Sequence, residues 1–206
     1  SGKSTLAYLL LGLIRPDRGQ ININGVPMDQ INPEEWRRNL AFAPQHPHLF
    51  SGTVAENIRL GRPDASDEEV EEAVKLAGAG QFIQNLPQGY QTQVGEGGLQ
   101  LSGGQVRRIA LARVFLSGAK IMIFDEVLAG LDRASGEEIW EALQVFRDSF
   151  PDRIILVISH EMFTARRADR ILVLHRGTLE EAGTHEELLQ KNGVYAGLTA
   201  VWGGAP

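Results

Sequence analysis

The sequence predicts an α/β protein: a mostly parallel sheet flanked by helices, with a helical segment inserted in the middle. Three observations carry this. Apolar, β-branched runs of strand length occur at residues 20–24, 40–43, 120–124, 154–159 and 171–174. Three of them are continuous, as expected of strands buried on both faces. Strand and helix patterns alternate toward the C-terminus, which implies parallel pairing with helices on both faces. Residues 53–116 contain no convincing strand and are expected to form a helical subdomain, beginning with a long helical stretch over about 53–84.

The elements follow in order. Residues 6–14 are apolar and free of proline, and read as a helix. Asn32, followed by Pro33 and Glu35, marks a helix start, because proline at the first helical position loses no hydrogen bond. Ser66 with Glu69, Ser135 with Glu138, and Thr184 with Glu187 have the spacing of capping boxes. Behind the first, Val70, Ala73, Val74 and Ala77 fall on one helical face; behind the second, Ile139, Leu143 and Phe146 do the same.

The 206 residues divide into one to two domains at roughly 150 residues each. Hydrophobic residues are 43% and charged residues 22%, which places the chain among ordinary globular proteins and excludes disordered and collagen-like classes. A net charge of −6 without blocks of like charge argues against a nucleic-acid footprint. With no cysteine, disulfides, thiolate metal sites and cysteine nucleophiles are excluded. The apolar run over 6–14 is about half the roughly 20 residues of a membrane span, so no span is expected within the chain.

Chemistry concentrates at strand ends. Ser1, Gly2, Lys3, Ser4 and Thr5 match the last part of G-x-x-x-x-G-K-[ST], a loop whose backbone N–H groups face phosphates while the lysine reaches the β/γ oxygens and the Ser4 hydroxyl meets magnesium. Alone, this tetrad also fits an ordinary capped helix start. Lys120 to Glu126 reads KIMIFDE, an apolar strand ending in two carboxylates; strand alternation aims Asp125 and Glu126 differently, so that one can hold magnesium and the other face an attacking water. Alone, the pair also fits a strand running out into a charged loop. His160 follows the strand over 154–158 and is expected at the same edge.

Residues 101–105 read LSGGQ and continue into VRRIALAR. This resembles the signature motif of ATP-binding cassette (ABC) proteins, and its companions stand in family order: the phosphate-loop remnant, Gln45 after a strand, Ser102 to Gln105, Asp125 with Glu126, Asp132 in AGLD, and His160. The resemblance covers essentially the whole chain and implies a P-loop NTPase-type fold. The stretches from Phe50 to Ile58, Val94 to Gly98 and Gly183 to Tyr195 are similar to exporter-type cassettes. Departures are modest: Phe124, Val127 and Gly130 replace more usual residues, and none removes a reacting group.

The resemblance implies a nucleotide-binding domain over 1–206 that uses ATP and Mg2+, hydrolyses ATP, and pairs head to tail with a second such domain, as a homodimer or heterodimer, to power export across a membrane. It further implies Lys3, Gln45, Glu126 and His160 as catalytic. Gly2, Lys3, Ser4, Thr5, Ser102, Gly103, Gly104, Gln105 and Asp132 are implied as nucleotide contacts, and Ser4, Gln45 and Asp125 as the magnesium set. The chain is expected to begin inside the phosphate loop, lacking N-terminal strands and an adenine-stacking aromatic. A transmembrane domain is expected upstream, which would hold it at the cytoplasmic face of a plasma or inner membrane; no nucleic-acid partner is expected. The alternatives are a soluble ABC-type ATPase, disfavoured by the absence of heptads between phosphate loop and signature, and a silent regulatory cassette, disfavoured because every reacting residue type is in place.

Overall fold

The computed structural model describes residues 2–129 and 133–202. The elements are α1 (Lys3–Leu10), β1 (Asn22–Ile23), β2 (Val26–Pro27), α2 (Pro33–Arg38), β3 (Leu40–Ala43), β4 (Gly52–Thr53), α3 (Val54–Arg59), α4 (Asp67–Leu76), α5 (Gly80–Gln84) and β5 (Gln93–Val94). They continue as α6 (Gly103–Leu116), β6 (Ile121–Asp125), α7 (Arg133–Ser149), β7 (Ile154–Ile158), α8 (Met162–Ala165), β8 (Ile171–His175), β9 (Thr178–Gly183), α9 (His185–Lys191) and α10 (Val194–Trp202). They form two compact units, one of residues 1–21 with 157–206 and one of residues 22–156.

β6, in the larger unit, is the central strand of a sheet ordered β3, β6, β7. β3 and β6 run parallel in the register Leu40 to Ile121 through Ala43 to Phe124. Met122, Ile123 and Phe124 are fully buried. The core beside them is aromatic: Phe115 of α6 stacks on Phe146 of α7 with centroids 4.6 Å apart, and meets Phe124 edge-on.

The expected long helix over 53–84 is three helices. Pro63 and the left-handed Gly78 (φ 61°) interrupt it. β4 and β5 pair antiparallel within the stretch expected to lack strands; two residues each are too few for a period-2 signal. Three close approaches bind this region together. A Cβ at Gly61, just past α3, would collide with the carbonyl oxygen of Arg113 in α6. One at Gly95 would lie 2.6 Å from the Phe50 carbonyl oxygen, and one at Gly98 2.7 Å from the Val94 backbone.

The expected caps at Asn32, Ser66 and Thr184 are present. The expected cap at Ser135 is not: α7 already includes Arg133, so Ser135 lies in its first turn, and Glu138 pairs with Arg108 of α6. Two further capping boxes open α3 (Thr53 with Glu56) and α6 (Ser102 with Gln105). The expected strand over 20–24 reduces to β1, paired with β2.

In the smaller unit, α1 ends at Leu10, earlier than the apolar run suggests, and Gly12 turns left-handed (φ 67°) shortly after. β8 and β9 form a hairpin whose two-residue turn, Arg176 and Gly177, has both φ values positive (50° and 83°), the twist that suits a tight hairpin. Val173, Leu188 and Tyr195 form its core. The Tyr195 hydroxyl lies 2.8 Å from His185 Nδ1, and its N–H donates to Glu181 Oε2 at 2.7 Å.

Two predictions follow from these contacts. The Thr53 N–H donates to Glu56 Oε2 at 2.7 Å, and this bond, with the Thr53 hydroxyl, holds the Glu56 carboxyl below the usual carboxylate range. A depressed folded-state pKa stabilises the fold above the unfolded value of about 4.3 and loses that contribution as pH falls below it. Urea unfolding at a series of pH values should therefore show weaker acid destabilisation in Glu56→Gln than in wild type. Gly98→Ala, which drives a methyl into the Val94 backbone, should cost about 1–3 kcal/mol in the same assay.

Candidate functional site

The larger unit brings three of the expected residues to one strand edge. Because Ala43 is opposite Phe124 in a parallel register, two further residues along each chain place Gln45 opposite Glu126. The side chains meet: Gln45 Nε2 donates to Glu126 Oε2 at 2.6 Å. Glu126 itself departs from strand alternation. Its φ of 50° is left-handed, a region that side-chain-bearing residues seldom occupy and that marks strain at functional sites. The backbone turn, rather than the strand period, aims this carboxylate.

Asp125 ends β6 and is 5% exposed. Its Oδ1 is buried and has no hydrogen-bond partner among the described residues. A buried carboxylate oxygen is costly unless something compensates its charge, and hard oxygen ligands of this type suit magnesium. The residues therefore fit the divalent cation that the sequence implies. No cluster of three or more carboxylate, histidine or cysteine ligands occurs among the described residues.

In the smaller unit, Gly2 precedes α1 with a left-handed φ of 91°, and Lys3, Ser4 and Thr5 form the first helical turn. That turn carries no acidic side chain and its N-terminus has no side-chain cap, so its N–H groups present partial positive charge. Lys3 Nζ donates to the carbonyl oxygen of Ser159, 3.3 Å away, which brings the lysine to the turn that carries His160. The Ser159 hydroxyl accepts from the Glu161 N–H at 3.0 Å and shapes that turn.

Ser102 opens α6 by a reciprocal cap: its hydroxyl accepts from the Gln105 N–H, and Gln105 Oε1 accepts from the Ser102 N–H at 2.9 Å. Gly103 and Gly104 start the helix. Neither has positive φ, and a Cβ on either would meet nothing within 4 Å. Unlike Gly95 and Gly98, they are not required by packing among the described residues. Ser102, Gly104 and Arg108 border an open depression facing Gln81 and Asn85. Asp132 lies outside the described residues.

Sequence reasoning missed Arg113 and Asn57. Asn57 is 1% exposed, and Arg113 is a partly buried cation on α6 whose desolvation pushes its pKa down. The available signal was a charged residue within the otherwise apolar run from Ile109 to Leu116.

The family model described as ABC transporter matches residues 1–129. The chain is 42% identical over 198 residues to the glutathione/L-cysteine transport system ATP-binding/permease protein CydC of Bacillus subtilis, covering 96% of this chain and 34% of that protein. It is 45% identical over 200 residues to a putative multidrug export ATP-binding/permease protein of Staphylococcus aureus, covering 97% and 34%. It thus spans about a third of the length of the curated relatives it matches. Among solved structures, a bacterial Atm1-family ABC exporter with ATP bound superposes with a TM-score of 0.91 at 38% identity, over 100% of this chain and 35% of that one. With its sheet, its strand-end carboxylates and its capped LSGGQ helix, the chain belongs to the ABC transporter family.

Proposed function

We propose that residues 1–206 form an ATP-hydrolysing nucleotide-binding domain, with residues 53–116 as its helical subdomain, which pairs with a second such domain around ATP to power export across a membrane. The observation that carries the pairing is the open space at Gly103 and Gly104. Two successive glycines at a helix start, with nothing among the described residues within 4 Å of where a Cβ would sit, suit a phosphate approaching from outside. The names of the relatives, ATP-binding/permease proteins, support a transmembrane domain on the same polypeptide and a position at the cytoplasmic face of its membrane.

In this reading Gly2, Lys3, Ser4 and Thr5 grip the phosphates, and Lys3 offsets their charge. Ser102, Gly103, Gly104 and Gln105, with Asp132, serve the nucleotide of the partner domain. Ser4, Gln45 and Asp125 would hold magnesium, which when bound supplies electrostatic stabilisation of the β/γ-phosphate oxygens. Glu126 accepts a proton from the water that attacks the γ-phosphorus as the bond to the β–γ bridging oxygen breaks. Gln45, donating to Glu126 Oε2, orients that carboxylate. His160 donates to the γ-phosphate.

In the full-length protein, Glu126→Gln should keep ATP binding and lower turnover by roughly 10²- to 10⁴-fold; undiminished hydrolysis would reject the base assignment. Gly103→Ala should leave thermal stability equal or higher while lowering turnover and nucleotide-dependent dimer formation, read by light scattering with trapped ATP. Membrane fractionation of the native protein separates an exporter from a soluble ATPase of the same family.

A further inference from the structure

Arg113 sits on α6, eleven residues beyond the cap Ser102, and reaches across to the segment that follows Gln45. Its Nε donates to the Asn57 carbonyl oxygen at 2.9 Å and its Nη2 to Asn57 Oδ1 at 3.3 Å, while Nη1 and Nη2 both lie 3.4 Å from the His48 carbonyl oxygen. Its guanidinium lies 6.0 Å from the centre of the Phe50 ring. Asn57 extends the grip. Its Oδ1 accepts from the Phe50 N–H at 2.9 Å, and its Nδ2 donates to the carbonyl oxygens of Phe50 and Thr53 at 2.8 and 3.0 Å.

These bonds end on carbonyl oxygens and none on a carboxylate, so no opposite charge compensates for the desolvation of the guanidinium. A partly buried cation held in this way is weak support for stability, since replacing such a group by an apolar side chain of similar volume is often neutral or stabilising. Its distinctive capacity is the planar fork, which fixes several acceptors in one geometry where an ammonium cannot. The acceptors it fixes belong to the stretch that begins three residues after Gln45. His46 and Pro47 intervene, and proline restricts both its own φ and the residue before it. Pro47 therefore narrows the conformations by which a displacement at His48 could be absorbed before it reaches Gln45.

We propose that Arg113 is a positioning residue for the hydrolytic reaction: by pinning the segment 48–57 to the helix that carries Ser102, it sets where Gln45 holds Glu126, and through that chain it links the signature helix to the base. This rests on the reading of Glu126 as the base.

The test uses the full-length protein. Arg113→Lys keeps the charge and the stem but loses the fork. It should lower kcat roughly 10- to 100-fold, the scale on which a small misplacement acts, while binding of a fluorescent ATP analogue is unchanged and circular dichroism reports a folded protein. Hydrogen exchange at the Phe50 amide should accelerate. In a Gln45→Ala background, Arg113→Lys should cost little further turnover, because both act through one path. Wild-type turnover in Arg113→Lys, a loss that adds in full to that of Gln45→Ala, or a loss matched by the unfolded fraction would each overturn the inference. Should Arg113→Lys not fold, Arg113→Met, which fills the site without donors, enters the same comparison. An ATPase that depends on Glu126 but ignores Arg113→Lys rejects this inference alone; one indifferent to Glu126→Gln rejects the parent reading as well.

Discussion

A carboxylate at the end of the most deeply buried strand is the constraint around which the larger unit is arranged. Met122, Ile123 and Phe124 make the middle of β6 apolar and enclosed, yet the strand ends on Asp125, nearly as buried and with one oxygen unpartnered among the described residues. A chain does not keep such a group for stability. Phe115 meets Phe124 of that strand edge-on and stacks on Phe146. The chain then turns left-handed at Glu126, beside the parallel register with β3. That register and the turn at Glu126 together bring Gln45 to Glu126.

The glycines divide by what stands against them. Gly61, Gly95 and Gly98 are pressed by neighbouring backbone and are explained inside the chain. Gly2 and Gly177 answer to positive φ. Gly103 and Gly104 answer to neither, and the helix they begin is capped by Ser102 and Gln105, which leaves its start ordered and its face uncovered. The contrast separates residues that build the domain from residues that present it.

Much of this was legible beforehand. The strands β3, β6 and β7 announced themselves as apolar runs, and Asn32, Ser66 and Thr184 as caps, because each signal is local. The misreadings have common physical roots. Ser135 and Glu138 have capping spacing, but the helix had already begun, and Glu138 is claimed by Arg108, thirty residues away. The β4–β5 pair and β9 are stabilised by partners distant in sequence or by a turn whose residues, Arg176 and Gly177, carry a weak turn signature. At the site, residue types and their strand-end location were readable. The left-handed backbone of Glu126 and the grip of Arg113 on Asn57 were not, since both are settled by tertiary packing.

The join between α3 and α6 has a mechanical side. Where side chains separate two helices, a small push on one is taken up by rotamer changes and dies out within the interface. At Gly61 nothing stands between the end of α3 and the peptide of Arg113. Bare main chain has no rotamers to spend, so this contact transmits like a hinge pin without play, and the two helices must travel together or come apart.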